Sequence, residues 1–381
     1  MKFKHSFFIM LSIILVSVQI CISQERIIDG IPHVINPNKG SDSNLKFSFE
    51  KQLAIGGEEE SEDYIFERLI DFTVDEKGNI YLLDFSACSV FIFNSEGKYL
   101  RTVGRKGQGP GEFTYPIAIS SINPDTFFVA QSNPNRFSFF NFQGEYLRDF
   151  SLNFMGAFAK AKMFEKRFIL FSKSEFKMQE KKPSMKLSLN LIDVNGENEK
   201  SLFQTEREMD FLNTKKFSQK DTPIIFWCYD AAGNIYVIDD MFDYKIKVLD
   251  RQGKLLKIIQ RKFKPLKKTK EEQEEEKKKF DEAIKRMGVD AGFKYEPDKT
   301  KPIISQMFTD NLNRLWVNTL EGAAVSGMAF DIFDNSGKYL NKITIDFKTG
   351  GNILIKKNFM YCIFQDEEEL PAFFMYKIIE Q

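Results

Sequence analysis

The sequence predicts an all-β protein, a six-bladed β-propeller of four-stranded antiparallel blades. Three observations carry this prediction: strand-like alternation over most of the chain, a hairpin turn that recurs at similar intervals, and an aromatic content of 14%, supplied mainly by 40 phenylalanines. A repeat of about 40–50 residues with four short strands per unit is typical of propellers. A β-sandwich does not explain such a repeat, and a seventh blade would need a further hairpin that the chain does not offer.

Residues 1–23 have the pattern of a secretory signal peptide. Two lysines precede an apolar run that ends near Ile20, and the small residue Ser23 closes the segment. The run is short for an uncleaved membrane anchor, and Ile20 stands where lipidation of Cys21 would require a small residue. We therefore expect export to the periplasm, the cell surface or the medium, with no membrane span after cleavage.

The charge balance and the cysteine count restrict the class of partner. Without residues 1–23 the chain has 52 basic and 54 acidic residues, so it lacks the basic footprint of a nucleic-acid-binding protein. Three cysteines remain: Cys88, Cys228 and Cys362. This odd, sparse set does not form a disulfide framework, and we expect buried free thiols in a monomer.

After an N-terminal arm at 24–44, the propeller is expected to span 45–381. Its repeat is clearest in FTVDEKGNIYLLDFSACSVFIFNSEGKYL (72–100) and WCYDAAGNIYVIDDMFDYKIKVLDRQGKLL (227–256). In both, an alternating stretch ends at Asp, a Gly-Asn turn follows, and a strand Ile-Tyr-x-x-Asp leads to a second hairpin. Gly78 and Gly233 are expected to supply the positive φ of the first turn.

The second hairpin recurs five times. Its turn glycines are Gly97, Gly144, Gly196, Gly253 and Gly337. They are spaced by 47, 52, 57 and 84 residues, and the last interval contains an insertion. The C-terminal 352–379 supplies three strands but no such turn, so the segment 45–56 is expected to pair as the outer strand of this last blade and close the ring.

The repeated GNIY…D…F(D/N)xxGKYL, followed by GxxGxGPGEF, resembles NHL-repeat proteins. More closely, it resembles the exported six-bladed β-propeller proteins that are common in Bacteroidetes and related bacteria. The resemblance covers about 45–381 and is best in blades one, two and four, whereas blade three lacks the Gly-Asn turn. It implies a fold and an exported location and does not imply a reaction.

The stretch GRKGQGPGEF at 104–113 raises the possibility of a phosphate-binding loop. A phosphate cradle places its glycines between a strand and the N-terminus of a helix. Here the residues that follow, FTYPIAI, predict an extended strand, and the glycine spacing does not fit GxxxxGK[ST]. We therefore interpret the stretch as a crossing between blades one and two, with Phe113 wedged between them, and expect no nucleotide.

A charged insertion at 261–300 separates blades four and five. Thr269 and Glu272 form a capping-box pair, and Gly288 is placed to end the predicted helix. An apolar stripe on one face is expected to dock it: Phe280, Ile284 and Met287. The helix is either a lid or partner-binding arm over the ring, or a solvated decoration of a loop.

The residue types disfavour several chemistries. Histidine, the usual base near neutral pH and a common metal ligand, occurs only as His5 and His33, outside the ring. Propeller lyases that use zinc or a catalytic histidine need histidines at the channel. Calcium-dependent lactonases use Asp, Glu and Asn there, and those types are plentiful, although no motif supports calcium or any other cofactor. No catalytic residue and no metal ligand is therefore assigned.

Ligands of propellers usually meet the mouth of the central channel. The innermost strands are predicted near 67–74, 114–121, 159–164, 223–229, 303–309 and 352–357. The candidate binding residues that they offer are Arg68, Asp71, Tyr115, Lys160, Trp227 and Gln306. We expect an exported, non-catalytic binding or scaffold propeller that recognises a peptide, protein or glycan; the alternative is a divalent-cation-dependent hydrolase or lyase with carboxylate ligands in the channel.

Overall fold

The computed structural model describes residues 23–57, 63–123, 125–178, 183–208, 216–286, 294–320, 328–347, 351–365 and 370–381. The strands of blades one to three are β4 (Leu69–Val74), β5 (Ile80–Asp84), β6 (Ser89–Phe93), β7 (Tyr99–Val103), β8 (Tyr115–Asn123), β9 (Thr126–Ser132), β10 (Arg136–Asn141), β11 (Tyr146–Ser151), β12 (Gly156–Phe164), β13 (Phe168–Met178), β14 (Pro183–Asp193) and β15 (Lys200–Glu208). Those of blades four to six are β17 (Phe226–Tyr229), β18 (Ile235–Ile238), β19 (Lys245–Leu249), β20 (Leu255–Arg261), β22 (Ile304–Thr309), β23 (Leu315–Thr319), β24 (Met328–Phe333), β25 (Tyr339–Ile345), β26 (Ile353–Lys356), β27 (Phe359–Gln365), β28 (Pro371–Glu380) and the N-terminal β3 (Phe47–Gly56). The remaining elements are β1 (Gln24–Ile28), β2 (Ile31–Asn36), β16 (Lys216–Phe217), β21 (Lys294–Tyr295), a 3-10 turn (Gln219–Asp221) and the helix α1 (Lys270–Arg286).

Six antiparallel sheets form the blades of a ring, which confirms the predicted architecture. Five of them are built from four consecutive strands, and the sixth has the order β26-β27-β28-β3. Strand β3 pairs with β28 along its whole length, from Gly56 opposite Ala372 to Phe47 opposite Glu380. The prediction that an N-terminal strand closes the last blade is therefore confirmed.

The residues ahead of β3 add a hairpin to blade four. Strands β1 and β2 pair antiparallel, and β2 extends the sheet by pairing parallel with β20. The buried Asn36 holds this junction, because its Nδ2 donates to the carbonyl oxygens of Gln260 (3.1 Å) and Gly337 (2.9 Å) and its Oδ1 accepts from the Tyr339 N–H (2.8 Å). The pattern of 24–44 predicts only an arm, because the pairing depends on partners more than 200 residues away.

A buried aspartate organises the first turn of three blades. In blade four, Asp230 Oδ1 accepts the Asn234 N–H (2.9 Å), while Oδ2 accepts Asn234 Nδ2 (2.8 Å) and the Tyr236 hydroxyl (3.0 Å). Asp75 and Asp310 make equivalent bonds in blades one and five. The recurring Asp, turn and aromatic residue are therefore one hydrogen-bonded unit that leaves no oxygen of the buried carboxylate unsatisfied.

The second hairpin of each repeat is closed by an Asx turn. Asp250 Oδ1 accepts the backbone N–H groups of Gln252 and Lys254, both at 2.8 Å. The corresponding residues in other blades are Asn94, Asn141, Asp193 and Asp334. In the first turns, Gly78 and Gly233 have φ values of +89° and +85°, which confirms the expected positive φ.

The hydrophobic core lies between neighbouring blades, where most of the phenylalanines pack. Phe137 of blade two illustrates this, with its ring centroid 4.8 Å from that of Phe158 and 5.7 Å from that of Phe171, both in blade three. The cysteines at 88, 228 and 362 are free and buried within these layers, as expected. Burial raises the pKa of the Cys228 thiol to about 12.

The stretch 104–113 crosses from blade one to blade two, as predicted. Strand β7 leads into it and strand β8 follows it. Phe113 is fully buried and meets Phe140 edge-on, with the ring centroids 5.6 Å apart. Gly104 has a φ of +83°, and a Cβ there would lie 2.2 Å from the Phe113 ring, so both its conformation and its lack of a side chain are needed.

The insertion contains the predicted helix α1. The capping box is confirmed, because the Thr269 N–H donates to Glu272 Oε2 (2.9 Å) and the Glu272 N–H donates to Thr269 Oγ1 (3.2 Å). Phe280 stacks on Tyr295 with the ring centroids 4.4 Å apart, which docks the helix on β21. The predicted stop at Gly288 and the stripe residue Met287 lie outside the described residues.

Candidate ligand-binding site

The innermost strands of the six blades are β4, β8, β12, β17, β22 and β26, close to the predicted segments. Each begins on the face that carries the crossings between blades and runs inward along the channel. The entrance on that face, marked by Arg68, Phe85 and Tyr115, is called the mouth below. The crossings and the starts of the inner strands therefore place the candidate residues in one region.

A β-bulge recurs near the start of the inner strand in four blades. It falls at Ile70 in β4, Ile117 in β8, Ala159 in β12 and Ser305 in β22. A bulge adds one residue and re-aims the side chain that follows. Three predicted site residues, Asp71, Lys160 and Gln306, stand directly after these bulges.

Polar side chains tie each inner strand to the next. Between blades two and three, the Met163 N–H donates to Ser120 Oγ (2.9 Å). The Tyr229 hydroxyl donates to the Met163 carbonyl oxygen (2.5 Å) and joins blade four to blade three, and Thr309 Oγ1 donates to the Tyr229 carbonyl oxygen (2.6 Å) from blade five. Gln306 Nε2 then donates to the Gly351 carbonyl oxygen (2.9 Å) at the start of blade six. Gln306 thus lies at the predicted place and serves there as a tie between blades.

A buried ion pair crosses the channel, and we call it the channel plug. Lys162 Nζ of blade three lies 2.8 and 2.9 Å from the two carboxylate oxygens of Asp71 in blade one. Asp71 also accepts the Ile119 N–H of blade two (2.9 Å) and Asn352 Nδ2 of blade six (2.7 Å). The carboxylate is 2% exposed and joins four of the six blades, so its hydrogen-bonding capacity is used within the ring.

Lys160 lies on the mouth side of the plug and faces blade four. The bulge at Ala159 inverts the alternation, so that Phe158 packs towards blade two while Lys160 points the other way. Its Nζ donates to the Trp227 carbonyl oxygen (2.9 Å) and stands 4.6 Å from the indole ring centroid. Burial lowers the pKa of Lys160 to about 8 because the charged form loses solvation.

Trp227 forms the wall beneath this amine. Its side chain is 2% exposed, and its Nε1 has no hydrogen-bond partner among the described residues. Ser172, directly opposite Lys160 in the strand register, is 4% exposed and its Oγ likewise lacks a described partner. The wall between blades three and four therefore combines the Lys160 ammonium, an indole N–H without a described partner and a hydroxyl that can donate or accept.

The mouth itself carries a cation and two aromatic rings. Arg68 is exposed, and its guanidinium carbon lies 5.0 Å from the centroid of the Phe85 ring. The Tyr115 ring is 6.2 Å from that of Phe85, and Tyr115 is 46% exposed. Asp84 fixes this arrangement, because its carboxylate accepts the Arg68 N–H (2.9 Å) and neighbouring backbone N–H groups on both sides. The stack of Arg68, Phe85 and Tyr115 is therefore held in place by Asp84 on its inner side and is open at the mouth.

Comparison with known families decides the identity of the fold. Residues 62–290 match the model of the DUF5128 family, described as a 6-bladed beta-propeller, over more than half of the chain. The chain belongs to the DUF5128 family. No curated protein matches the sequence significantly.

Solved structures share the architecture of this DUF5128 propeller at low identity. A Bacteroides fragilis protein described as exported is 12% identical with a TM-score of 0.51, over 91% of this chain and 99% of that one. A DUF4221 family member from Bacteroides vulgatus is 11% identical with a TM-score of 0.51, over 89% and 100%. At this identity the likeness shows the fold alone.

The six predicted residues therefore fall into three groups in this DUF5128 protein. Arg68 and Tyr115 each contact Phe85 at the mouth, Lys160 and Trp227 meet at the channel wall, and Asp71 and Gln306 act as ties within the ring. Sequence reasoning missed three participants: Lys162, Asn352 and Phe85. Lys162 is a second lysine two residues after Lys160 on the same strand, and this spacing could have identified it. Phe85 shows no signal apart from its place after the strand that ends at Asp84.

The described part of the chain contains no group of three or more His, Cys, Asp and Glu side chains able to hold a metal ion. Across the same residues, no helix has the length and apolar character needed to cross a membrane. The predicted signal peptide lies almost wholly outside the described residues, which begin at residue 23.

Proposed function

We propose that the protein is an exported, non-catalytic binding propeller that recognises a peptide, protein or glycan at the mouth. The observation that carries this proposal is the open stack of Arg68, Phe85 and Tyr115. Aromatic rings and arginine are the residue types that contribute most to recognition surfaces, and a pre-ordered stack binds at low entropic cost. Both sugar rings and peptide side chains can lie on such a surface.

The state of the channel supports binding over hydrolysis. A carboxylate that activates water or binds calcium needs oxygen atoms that are available to that water or ion. Both oxygens of Asp71 accept hydrogen bonds from other blades, and Lys162 neutralises the charge. Asp71 therefore fits a structural role better than a catalytic one.

Export is supported by the charged, apolar and small-residue pattern of residues 1–23. The Bacteroides fragilis protein with the same fold is also described as exported. A binding module outside the cytoplasm has access to envelope peptides and glycans, which are the ligand classes that the mouth suits.

Peptide and glycan arrays probed with the purified protein test the proposal. Tyr115→Ala and Arg68→Ala should each reduce the signal of a bound class by about tenfold, the usual loss at a moderate hot spot. Leu312→Ala is the matched control, because Leu312 is 64% exposed on a turn at the opposite end of the inner strands and should leave the signal unchanged. Equal signals for all four proteins, or calcium-dependent turnover of a lactone, would contradict the proposal.

A further inference from the structure

Three lysines lie on the inner strands, and two of them have a carboxylate partner. Lys162 pairs with Asp71 at 2.8 Å, and Lys356 lies 3.5 Å from a carboxylate oxygen of Glu76. Lys160 has no carboxylate within ion-pair distance among the described residues, and its one described hydrogen bond is to the Trp227 carbonyl oxygen. Two of its three N–H donors are therefore available, and a half-buried cation without a counter-charge is costly.

The surroundings of Lys160 offer no free carboxylate among the described residues. The Trp227 carbonyl oxygen already accepts from Lys160, Trp227 Nε1 can only donate, and Ser172 Oγ can donate or accept but carries no charge. Asp71 is bound to Lys162. Lys160 is itself only half-buried, and the preceding Ala159 is exposed, so this part of the strand is open to solvent. The wall offers positive charge and hydrogen-bond donors to whatever enters.

The mouth adds a second cation. Arg68 is exposed there, whereas Arg105 on the adjacent crossing is paired with Glu112 (2.8 Å) and adds no free charge. Because cations beside a cleft attract ligands of the opposite sign, Arg68 at the mouth and Lys160 at the wall together favour an anion.

We infer that the channel takes a ligand bearing a carboxylate, which pairs with the Lys160 ammonium while the rest of the ligand lies against Arg68, Phe85 and Tyr115. This inference rests on the proposed binding function and narrows its ligand class. A peptide C-terminus and a uronic acid present the same carboxylate chemistry. Trp227 positions the amine through its carbonyl group and ring face.

Calorimetric titration of the purified full-length protein with paired probes provides the test. The peptide pair is acetyl-trialanine with a free carboxylate and with a C-terminal amide; the sugar pair is digalacturonic acid and its methyl ester. In whichever pair binds, the acid form should bind about 10- to 100-fold more tightly than its neutral partner, as expected for a hydrogen bond to a charged group. The pair that responds identifies the source of the carboxylate.

Variants assign the effect to Lys160. Lys160→Met should remove the preference for the acid form, Lys160→Arg should retain part of it, and Lys77→Met should retain all of it, since Lys77 belongs to an exposed ion pair with Asp125 on a distant turn. Because the acid and neutral probes are compared on one protein, a general loss of stability in a variant cannot imitate the result.

The pH dependence gives an independent readout. The charged or titratable groups whose charges act on Lys160 are Lys162, Asp71 and Cys228. The free amine loses its proton as the pH rises through about 8, so affinity for the acid probe should fall above that pH. A bound carboxylate favours the ammonium form, and binding at pH 9 should therefore take up a proton, seen as a dependence of the heat on the buffer.

The outcomes separate this inference from the proposed function. Equal affinity for acid and neutral probes, with Tyr115→Ala still weakening both, would overturn the carboxylate inference and leave mouth binding intact. An acid preference that survives Lys160→Met would also overturn it. If neither member of either pair binds and the arrays remain empty, both the inference and the proposed function are wrong.

Discussion

The channel plug provides the sharpest test of how the ring is held together. Replacing Lys162 by Met leaves the 2%-exposed Asp71 carboxylate, among the described residues, with the neutral donors Asn352 Nδ2 and the Ile119 N–H. Replacing Asp71 by Asn leaves Lys162 with the carbonyl oxygens of Phe72 and Ile119. Removing one member of a buried ion pair costs about 3–5 kcal/mol, because the other charge stays buried without compensation.

This loss is large enough to measure in a protein of this size. The unfolding entropy is about 2.1 cal/mol/K per residue, so near Tm the unfolding free energy of the 381-residue chain changes by about 0.8 kcal/mol per degree. A loss of about 3–5 kcal/mol should therefore lower Tm by about 4–6 °C. Differential scanning calorimetry and urea denaturation should agree. Asp71→Asn combined with Lys162→Met should cost less than the sum of the single changes, since neither charge is then left alone.

The exposed pair of Lys77 and Asp125 supplies the control. Its charged atoms are 3.1 Å apart, but the two side chains are 60% and 77% exposed. Asp125→Asn should change the unfolding free energy by less than about 1 kcal/mol, because water screens the pair. If Lys162→Met and Asp71→Asn are as mild as this control, the plug does not hold the blades together and the argument from burial is wrong.

Three further predictions concern the repeats and the core. Gly253→Ala should lower the unfolding free energy clearly more than Gly30→Ala, as urea denaturation of the two variants can show. Both glycines have positive φ, but a new Cβ would lie 2.7 Å from a backbone carbonyl oxygen at Gly253 and would meet nothing within 4 Å at Gly30. Asp230→Ala should lower the unfolding free energy by about 2–4 kcal/mol because it leaves several buried donors unpaired, whereas Tyr236→Phe removes one hydrogen bond and should lower it by about 1 kcal/mol. Similar losses for the two variants would contradict the conclusion that Asp230 organises the turn. Cys228 should resist iodoacetamide at pH 8 until the protein unfolds, since burial raises its pKa to about 12, and rapid native labelling followed by mass spectrometry would refute this.

The sequence predicted the architecture because the repeated residues act locally. Asp230, its turn and Tyr236 lie within seven positions, and their hydrogen bonds close inside one hairpin. The closing role of β3 was also predictable, since the last blade lacked one strand and 45–56 alternates. These features depend on short-range geometry that a repeat displays several times.

The contacts of the site depend on which residues of different blades come together, and the order of residues along the chain does not show this. Asp71 and Lys160 were chosen as polar residues on inner strands, and the structure places both there. Their partners come from other blades, and the bulge at Ala159, which decides where Lys160 points, has no composition signal because alanine fits a regular strand equally well. The roles of these residues could therefore not be read from the pattern of polar and apolar positions.

The distribution of hydrogen bonds separates the residues that hold the ring from those that can recognise a ligand. A propeller brings six inner-strand edges together, and any polar group there must find a partner or remain open to what enters the channel. Asp71, Lys162 and Gln306 are committed to neighbouring blades, so changing them should affect stability first. Lys160 lies on the same ring of strands but retains donors, and Tyr115 and Arg68 lie above it. We therefore propose that recognition occurs at the mouth, where the ties between blades leave donors and rings unused, and we expect changes in the plug beneath it to affect stability.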